Sequence, residues 1–300
     1  PLVMVGSADS RGAAYDPEGL DPARVAKIKM RGGSVASYPE AGHPDWNAVD
    51  LVAQVDADLL LEASPVHLAQ GAEPGLTCIR TAMQKGMDVA TPNKGPLVVA
   101  FDELEALADK MDVAFRYDGT VAGGLPALYT GIRDLRGGDV IGIEAIPNLS
   151  SGFVMDLLAE GLSWDEAIAQ GYEAGVLEGD GTWDLDGWDA AAKLLILTRA
   201  VLHDPATLDD VLRTGVRQVT LQQLIAAREK GLRYRLLAKA ERQSEGGYAL
   251  TVTPTPMPID HPLGRMGQKQ MGVIYETDIY GTITMIIDEP TPVPSAATML

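Results

Sequence analysis

Short apolar runs alternate with stretches of helical period over the first third of the chain. Leu2-Val3-Met4-Val5-Gly6-Ser7-Ala8-Asp9 predicts a buried strand that ends in polar residues. A short helix over 21–30 and a helical piece over 51–55 follow, then a second apolar strand over 58–63. Residues 75–85 predict a helix closed by Gly86, because glycine readily takes the left-handed conformation that ends a helix. Residues 87–90 predict a third strand. Pro96 suits a helix start, and Leu97, Phe101, Leu104 and Ala108 recur at the spacing of one helical face. A fourth strand is predicted over 113–117. Strands alternating with helices in this way predict a doubly wound parallel sheet. In such sheets ligands bind beyond the carboxyl ends of the strands, and residues 9–11, 64–65 and 91–94 all occupy such ends.

After about residue 120 the pattern changes. Helical stretches at 123–134, 150–160, 164–171, 187–202 and 220–229 flank long β-prone stretches at 138–147, 232–241, 248–254 and 271–286. Strands that come in runs predict an α+β domain with a mostly antiparallel sheet. The Pro-rich segment 253–262 reads as a connecting loop. No Gly/Ser linker separates the halves, which predicts an extensive interface between them. The chain opens at Pro1 and stops at Leu300 inside an apparent Ala/Met/Leu helix, so both ends look cut from something longer.

Composition narrows the function. Hydrophobic residues make up 46% of 300, enough for a real core. A formal net charge of −18 argues against nucleic acid and against anionic membrane surfaces. No apolar run reaches the ~18 residues that span a bilayer, and no signal peptide is visible. The single cysteine, Cys78, excludes an internal disulfide and fits a reducing compartment, so the cytoplasm is expected. Its apolar surroundings predict a packed core thiol. His43, His67, His203 and His261 lack metal-ligand spacing, and HExxH, GxSxG and Walker motifs are missing.

The densest chemistry lies in residues 171–193. An acidic, Gly-rich loop with Glu178, Asp180, Asp184 and Asp186 runs into an Ala-rich helix carrying Asp189 and Lys193 four residues apart. That spacing places both side chains on one helix face. Carboxylates around one ammonium can grip a polar amino acid and move a proton. The plain alternative is a surface salt bridge worth ~0.3–0.5 kcal/mol, with Asp184 or Asp186 merely capping the helix.

Four segments resemble the homoserine dehydrogenase family. Thr91-Pro92-Asn93-Lys94-Gly95-Pro96-Leu97 is similar to its T-x-N-K-G-P-L turn, and Asp118-Gly119-Thr120-Val121-Ala122-Gly123-Gly124-Leu125-Pro126 to E-A-T-V-G-G-G-x-P. Asp184 through Lys193 match D-x-x-G-x-D-x-A-x-K, the most specific block; Gly71 through Leu76 is a weaker Gly/Pro turn before a helix. The resemblance implies a Rossmann-like nucleotide-binding domain over 1–118, with 287–300 returning to it, and a catalytic and dimerisation domain over 119–286. It implies hydride transfer between L-homoserine and L-aspartate 4-semialdehyde in amino-acid biosynthesis, with NAD or NADP and a homodimeric enzyme. Lys193 is then the proton-transfer group. Asp189, Glu178 and Asp184, with Asn148 and Ser150 of an N-G-T-like segment, hold the substrate. Lys94 lies near nicotinamide and substrate, Ser64 near the nicotinamide ribose, and Gly175 against the cofactor. The loop carrying Asp118, Val121, Gly123 and Leu125 is similar to the family's monovalent cation site for Na or K; the alternative is a simple Gly-Gly turn. Arg11 at the end of the presumed second strand can pair with the 2′-phosphate of NADP, whereas Asp9 favours NAD, and both stand open.

Three departures qualify the resemblance. No G-x-G-x-x-G occurs, and in the family that turn lies upstream of where this chain begins, so an N-terminal strand and its turn are expected to be missing from these residues. N-G-T appears as Asn148-Leu149-Ser150, where leucine lacks glycine's freedom. A G-x-G-A-G loop is replaced by Ile287-Asp288-Glu289-Pro290-Thr291-Pro292, in which Glu289 offers a carboxylate. These changes leave two further readings open: a related oxidoreductase for another small hydroxy or keto acid, and a non-catalytic dinucleotide-binding subunit.

Overall fold

The computed structural model describes residues 2–177, 181–289 and 291–300, in two compact units, Pro1–Tyr117 and Asp118–Leu300. The first unit holds two small sheets. β1 (Gly6–Asp9), β2 (Gly12–Tyr15) and β3 (Gly42–His43) form an antiparallel meander. β4 (Leu59–Leu61), β5 (Asp88–Ala90) and β6 (Phe115–Arg116) are parallel neighbours in that order. The helices Gly75–Gln84 and Lys94–Met111 are the crossovers between these parallel strands and pack on each other. Ile79, Met83, Val89, Leu97 and Leu104 are fully buried in this layer, as the period of residues 97–108 predicts. The Lys85 amine donates to the carbonyls of Val52, Ala53 and Val55 and so caps the preceding helix, Ala48–Gln54.

The opening strand is shorter than its apolar run. Leu2, Val3 and Met4 are exposed, and Met4 and Val5 lend their carbonyls to the loop amides of Leu20 and Asp16 instead of to a sheet. Hydrophobicity alone does not make a strand where no neighbour pairs with it.

Cys78 sits in the core of this unit. Burial, with help from the Glu62 and Glu73 charges, pushes its thiol up to about 12. Thiolate is the reactive form. Native protein at pH 8 is therefore expected to leave a thiol-titrating disulfide reagent unreacted over minutes, and to release one equivalent only after denaturation. Rapid reaction of the native protein would contradict this burial.

The second unit is built on a six-stranded sheet in the order β12-β11-β7-β9-β10-β8. Its strands are β7 (Val140–Ile146), β8 (Val211–Arg213), β9 (Leu232–Arg242), β10 (Tyr248–Pro258), β11 (Gln270–Thr277) and β12 (Thr282–Asp288). All pairings are antiparallel except β8 with β10. The helix Trp188–Val201 packs on β7, β8, β9 and β10, with Leu194, Leu195, Ile196 and Leu197 fully buried. A second apolar cluster joins Ile146, Leu237, Met257, Leu263, Met266 and Ile274.

The expected loop at 253–262 is instead mostly strand. β10 runs to Pro258, with Pro254, Pro256 and Pro258 opposite Leu236, Tyr234 and Leu232 of β9. Prolines at every second position turn their nitrogens away from β9. The other neighbour, β8, reaches only Leu250 to Val252, so no donor is needed beyond it. Residues 287–300 group with the second unit. No helix among the described residues is long and apolar enough to cross a membrane.

Candidate active site

The helix Trp188–Val201 begins at Gly187, whose φ of +81° is the left-handed conformation that glycine adopts without penalty. Neither Asp184 nor Asp186 caps it, because Gly187 holds the cap position with no side-chain bond. The start is pinned from outside. The Arg213 guanidinium lies 3.7 Å from the centre of the Trp188 ring and donates to the Asp186 carbonyl. Trp183, from the short helix Thr182–Leu185 that also carries Asp184, stacks on Trp188 at 6.0 Å.

From this first turn to the second, Asp189 and Lys193 form their ion pair at 2.8 Å. It is not a solvated surface bridge: the side chains are 7% and 13% exposed. The Lys193 amine also donates to the Pro147 carbonyl at 2.7 Å. An ammonium has three N–H bonds, and the described residues take up two of them. Asp189 lies in the first helical turn, where the helix dipole favours a carboxylate.

Pro147 leads directly into Asn148. The Asn148 side-chain oxygen accepts the Ser151 hydroxyl at 2.6 Å, which orients the amide. Its Nδ2 is buried and has no hydrogen-bond partner among the described residues. An unsatisfied buried donor is costly and asks for an explanation, and a ligand carbonyl, carboxylate or hydroxyl supplies one. Ser150 and Ser151 are buried in the first turn of the helix Ser150–Ala159. Leu149 stands before that helix at φ −89°, ψ −37°, ordinary helical backbone, so the segment needs no glycine there. Lys193, Asp189, Asn148 and the Ser150 turn thus belong to one site. The Pro147 carbonyl and Ser151 were not foreseen, since nothing in the sequence signals a contact across forty-six residues.

The remaining predicted residues lie as follows. Glu178 falls outside the described residues. Gly175 ends the helix Trp164–Glu173 at φ +68° with open space where a Cβ would stand. Asp118 is buried and accepts the Tyr129 amide at 3.0 Å; burial raises its pKa while that amide and the Leu128 amide oppose the rise. Val121 is fully buried and Leu125 nearly so, and Gly123 takes φ +59°. Glu289 does not offer a free carboxylate. It is 6% exposed and accepts the amides of Gly124 at 3.0 Å and Ser295 at 3.2 Å, and the Ser295 hydroxyl.

In the first unit, Asp9 has its oxygens fully engaged. It accepts from the Lys29 amine at 2.6 Å, the Ser34 hydroxyl at 2.9 Å, and the amides of Val35 at 3.0 Å and Arg11 at 2.9 Å. Partial burial works against ionisation, but these four donors hold its carboxyl well below the usual range. Arg11 is exposed and commits one donor, to the Gly32 carbonyl at 2.8 Å. Ser64 and Lys94 stand at the carboxyl ends of β4 and β5, and Asn93 caps the helix that Lys94 begins.

Comparison with known proteins places this architecture. The family model described as homoserine dehydrogenase matches residues 126–300. The homoserine dehydrogenase of Methanocaldococcus jannaschii is 32% identical over 298 residues, 99% of this chain and 86% of that protein. An NAD(+)-dependent homoserine dehydrogenase of Pseudomonas canavaninivorans is 32% identical over 95% of this chain and 80% of its own length. Among solved structures, a putative homoserine dehydrogenase from Archaeoglobus fulgidus superposes with a TM-score of 0.85 at 28% identity, over 98% of this chain and 86% of that one. The fold and these relatives mark an NAD(P)-dependent dehydrogenase. Within that class the chain belongs to the homoserine dehydrogenase family.

Proposed function

We propose that this chain interconverts L-homoserine and L-aspartate 4-semialdehyde with NAD or NADP, and that Lys193 moves the proton. The observation that carries the reading is the Lys193 amine bound to Asp189 and to the carbonyl of Pro147, the residue next to Asn148, whose buried Nδ2 has no partner among the described residues. A reduced nicotinamide, when bound, would supply the hydride that the carbonyl carbon takes up in reduction. The Lys193 ammonium gives its remaining proton to the oxygen that becomes the hydroxyl; oxidation reverses both transfers. Asp189, with Glu178 and Asp184, receives the substrate's ammonium and hydroxyl. The Asn148 amide and Ser150 hydroxyl hold its polar groups. The first unit binds the nucleotide through Ser64, Lys94 and Arg11, with Gly175 against the cofactor. The second unit carries catalysis and the homodimer contact, with a monovalent cation at the loop bearing Asp118, Val121, Gly123 and Leu125. The engagement of Glu289 with Gly124 and Ser295 favours homoserine over a substrate that would need an added carboxylate partner. The family relationship also supports a cytoplasmic biosynthetic role. Spectrophotometric assay of the protein with L-homoserine and either nucleotide tests the proposal; no turnover with either one overturns it.

The nucleotide choice also follows. Asp9 has no oxygen left for a ribose 2′-hydroxyl, while Arg11 keeps donors for a 2′-phosphate. Arg11→Ala is expected to raise KM for NADP by about 10-fold or more, the scale of a hydrogen bond to a charged group, and to leave KM for NAD within about 2-fold. Equal effects on both nucleotides would remove Arg11 from the phosphate site.

A further inference from the structure

The turn that carries Lys94 is held by a closed ring of buried side chains. Glu62, at the end of β4, is only 4% exposed. Its Oε2 accepts the Thr91 hydroxyl at 2.9 Å, and the Thr91 oxygen accepts the Asn93 amide at 3.0 Å. The other oxygen, Oε1, accepts the Ser64 amide at 2.8 Å, and the Ser64 hydroxyl oxygen accepts from the Asn93 side-chain nitrogen at 3.2 Å. Asn93 then closes the helix start by accepting the Gly95 amide at 3.0 Å. Thr91 and Asn93 are as buried as Glu62. The helix Gly75–Gln84, which follows β4, begins against the ring at Gly75. A Cβ there would stand 2.7 Å from Asn93 Nδ2, 3.0 Å from Ser64 Oγ and 3.1 Å from Glu62 Oε1, so nothing larger than hydrogen fits without displacing a member.

We infer that Glu62 is a positioning residue. Through Thr91 and Asn93 it fixes the turn of Lys94, and through the Ser64 amide it fixes Ser64. The inference rests on the functional reading for the roles of Lys94 and Ser64, while the ring itself rests on the distances above. A carboxylate suits the place because both of its oxygens accept, one from each strand end. An amide has one accepting oxygen, so Glu62→Gln must turn an N–H toward a donor or force the Thr91 hydroxyl to rotate away. Thr91→Val removes the hydroxyl at nearly constant shape and leaves two buried polar groups unpaired. Thr91→Ser keeps the oxygen.

The test compares these three variants with the wild type below their melting temperatures, by steady-state kinetics, by NADPH fluorescence titration and by amide hydrogen exchange. Glu62→Gln and Thr91→Val are expected to lose about 10-fold or more in kcat/KM or in NADPH affinity, with faster exchange at residues 91–95. Thr91→Ser is expected to stay within about 3-fold of wild type on every readout. Unchanged exchange at 91–95 in both damaged variants overturns the inference. So does faster exchange with wild-type kinetics and NADPH affinity, which would make the ring purely structural. A wild-type protein that binds NADPH but does not oxidise L-homoserine overturns the substrate reading alone, and the titration still decides the role of Glu62. A wild-type protein that neither turns over nor binds NADPH overturns the functional reading and the positioning role together, whatever the exchange shows.

Discussion

Lys193→Ala is expected to lower kcat for L-homoserine oxidation by at least about 100-fold, the usual worth of a positioned proton-transfer group. The Lys193 amine is held in place by Asp189 and the Pro147 carbonyl, at 2.8 and 2.7 Å. Binding of NADPH, which the proposal assigns mainly to residues other than Lys193, is expected to stay within about 3-fold. Stability needs separate attention, because Asp189 is 5% exposed and loses its cation in this variant. Breaking a buried pair costs about 3–5 kcal/mol where one charge is left behind. The double variant Asp189→Asn with Lys193→Ala removes that charge. It is expected to melt closer to wild type than Lys193→Ala alone, while remaining equally inactive. Lys193→Arg tests the chemistry in another way: it keeps a cation on the helix but holds its proton at any working pH, so it stays inactive. Turnover near the wild-type level in either single variant would remove Lys193 from the proton path.

The sequence carried the local half of this site and none of the tertiary half. Asp189 and Lys193 were legible because helical spacing alone brings them to one face. The Asn93-Lys94 turn and the helix after it were legible because an asparagine cap followed by Gly-Pro is a local signal. Burial of the Asp189–Lys193 pair was not, because it depends on the Pro147 carbonyl and on packing over the sheet. The same holds for Asp9. Read alone, it and Arg11 offered opposite nucleotide preferences, and only the approach of Lys29, Ser34 and Val35 settles which of the two is already engaged. Pro254, Pro256 and Pro258 misled because proline content signals a loop, whereas their two-residue spacing on an edge is compatible with a strand. The Leu2 to Val5 run misled in the opposite sense. Its hydrophobicity signals a strand, yet pairing depends on neighbours that no run of residues encodes.

A second large effect is expected at an ion cluster on the helix that begins at Ser150. Asp156, on the helix Ser150–Ala159, accepts Arg233 Nε at 2.8 Å and Arg235 Nη1 at 2.9 Å on one oxygen, and Arg233 Nη2 at 2.8 Å on the other. Both guanidiniums also reach the Met266 carbonyl, at 2.8 and 2.7 Å. Arg235 is 2% exposed, and burial pulls its pKa down while Asp156 pulls it up. Asp156→Ala leaves that buried guanidinium without its carboxylate partner. A loss of about 3–5 kcal/mol is expected. At ~2–4 °C per kcal/mol for a unit of this size, Tm falls by roughly 10 °C. Trp164, Trp183 and Trp188 all lie in the second unit and Trp46 in the first, so tryptophan fluorescence in urea reports chiefly on the unit that Asp156 holds together. Replacing Asp156 with leucine and Arg235 with methionine together removes the central charge pair with similar volume, and is expected to recover most of the loss. A fall of less than about 1 kcal/mol in Asp156→Ala would mean that Arg235 finds water or another acceptor on losing its carboxylate, and that the Met266 carbonyl with local solvent is enough to hold it.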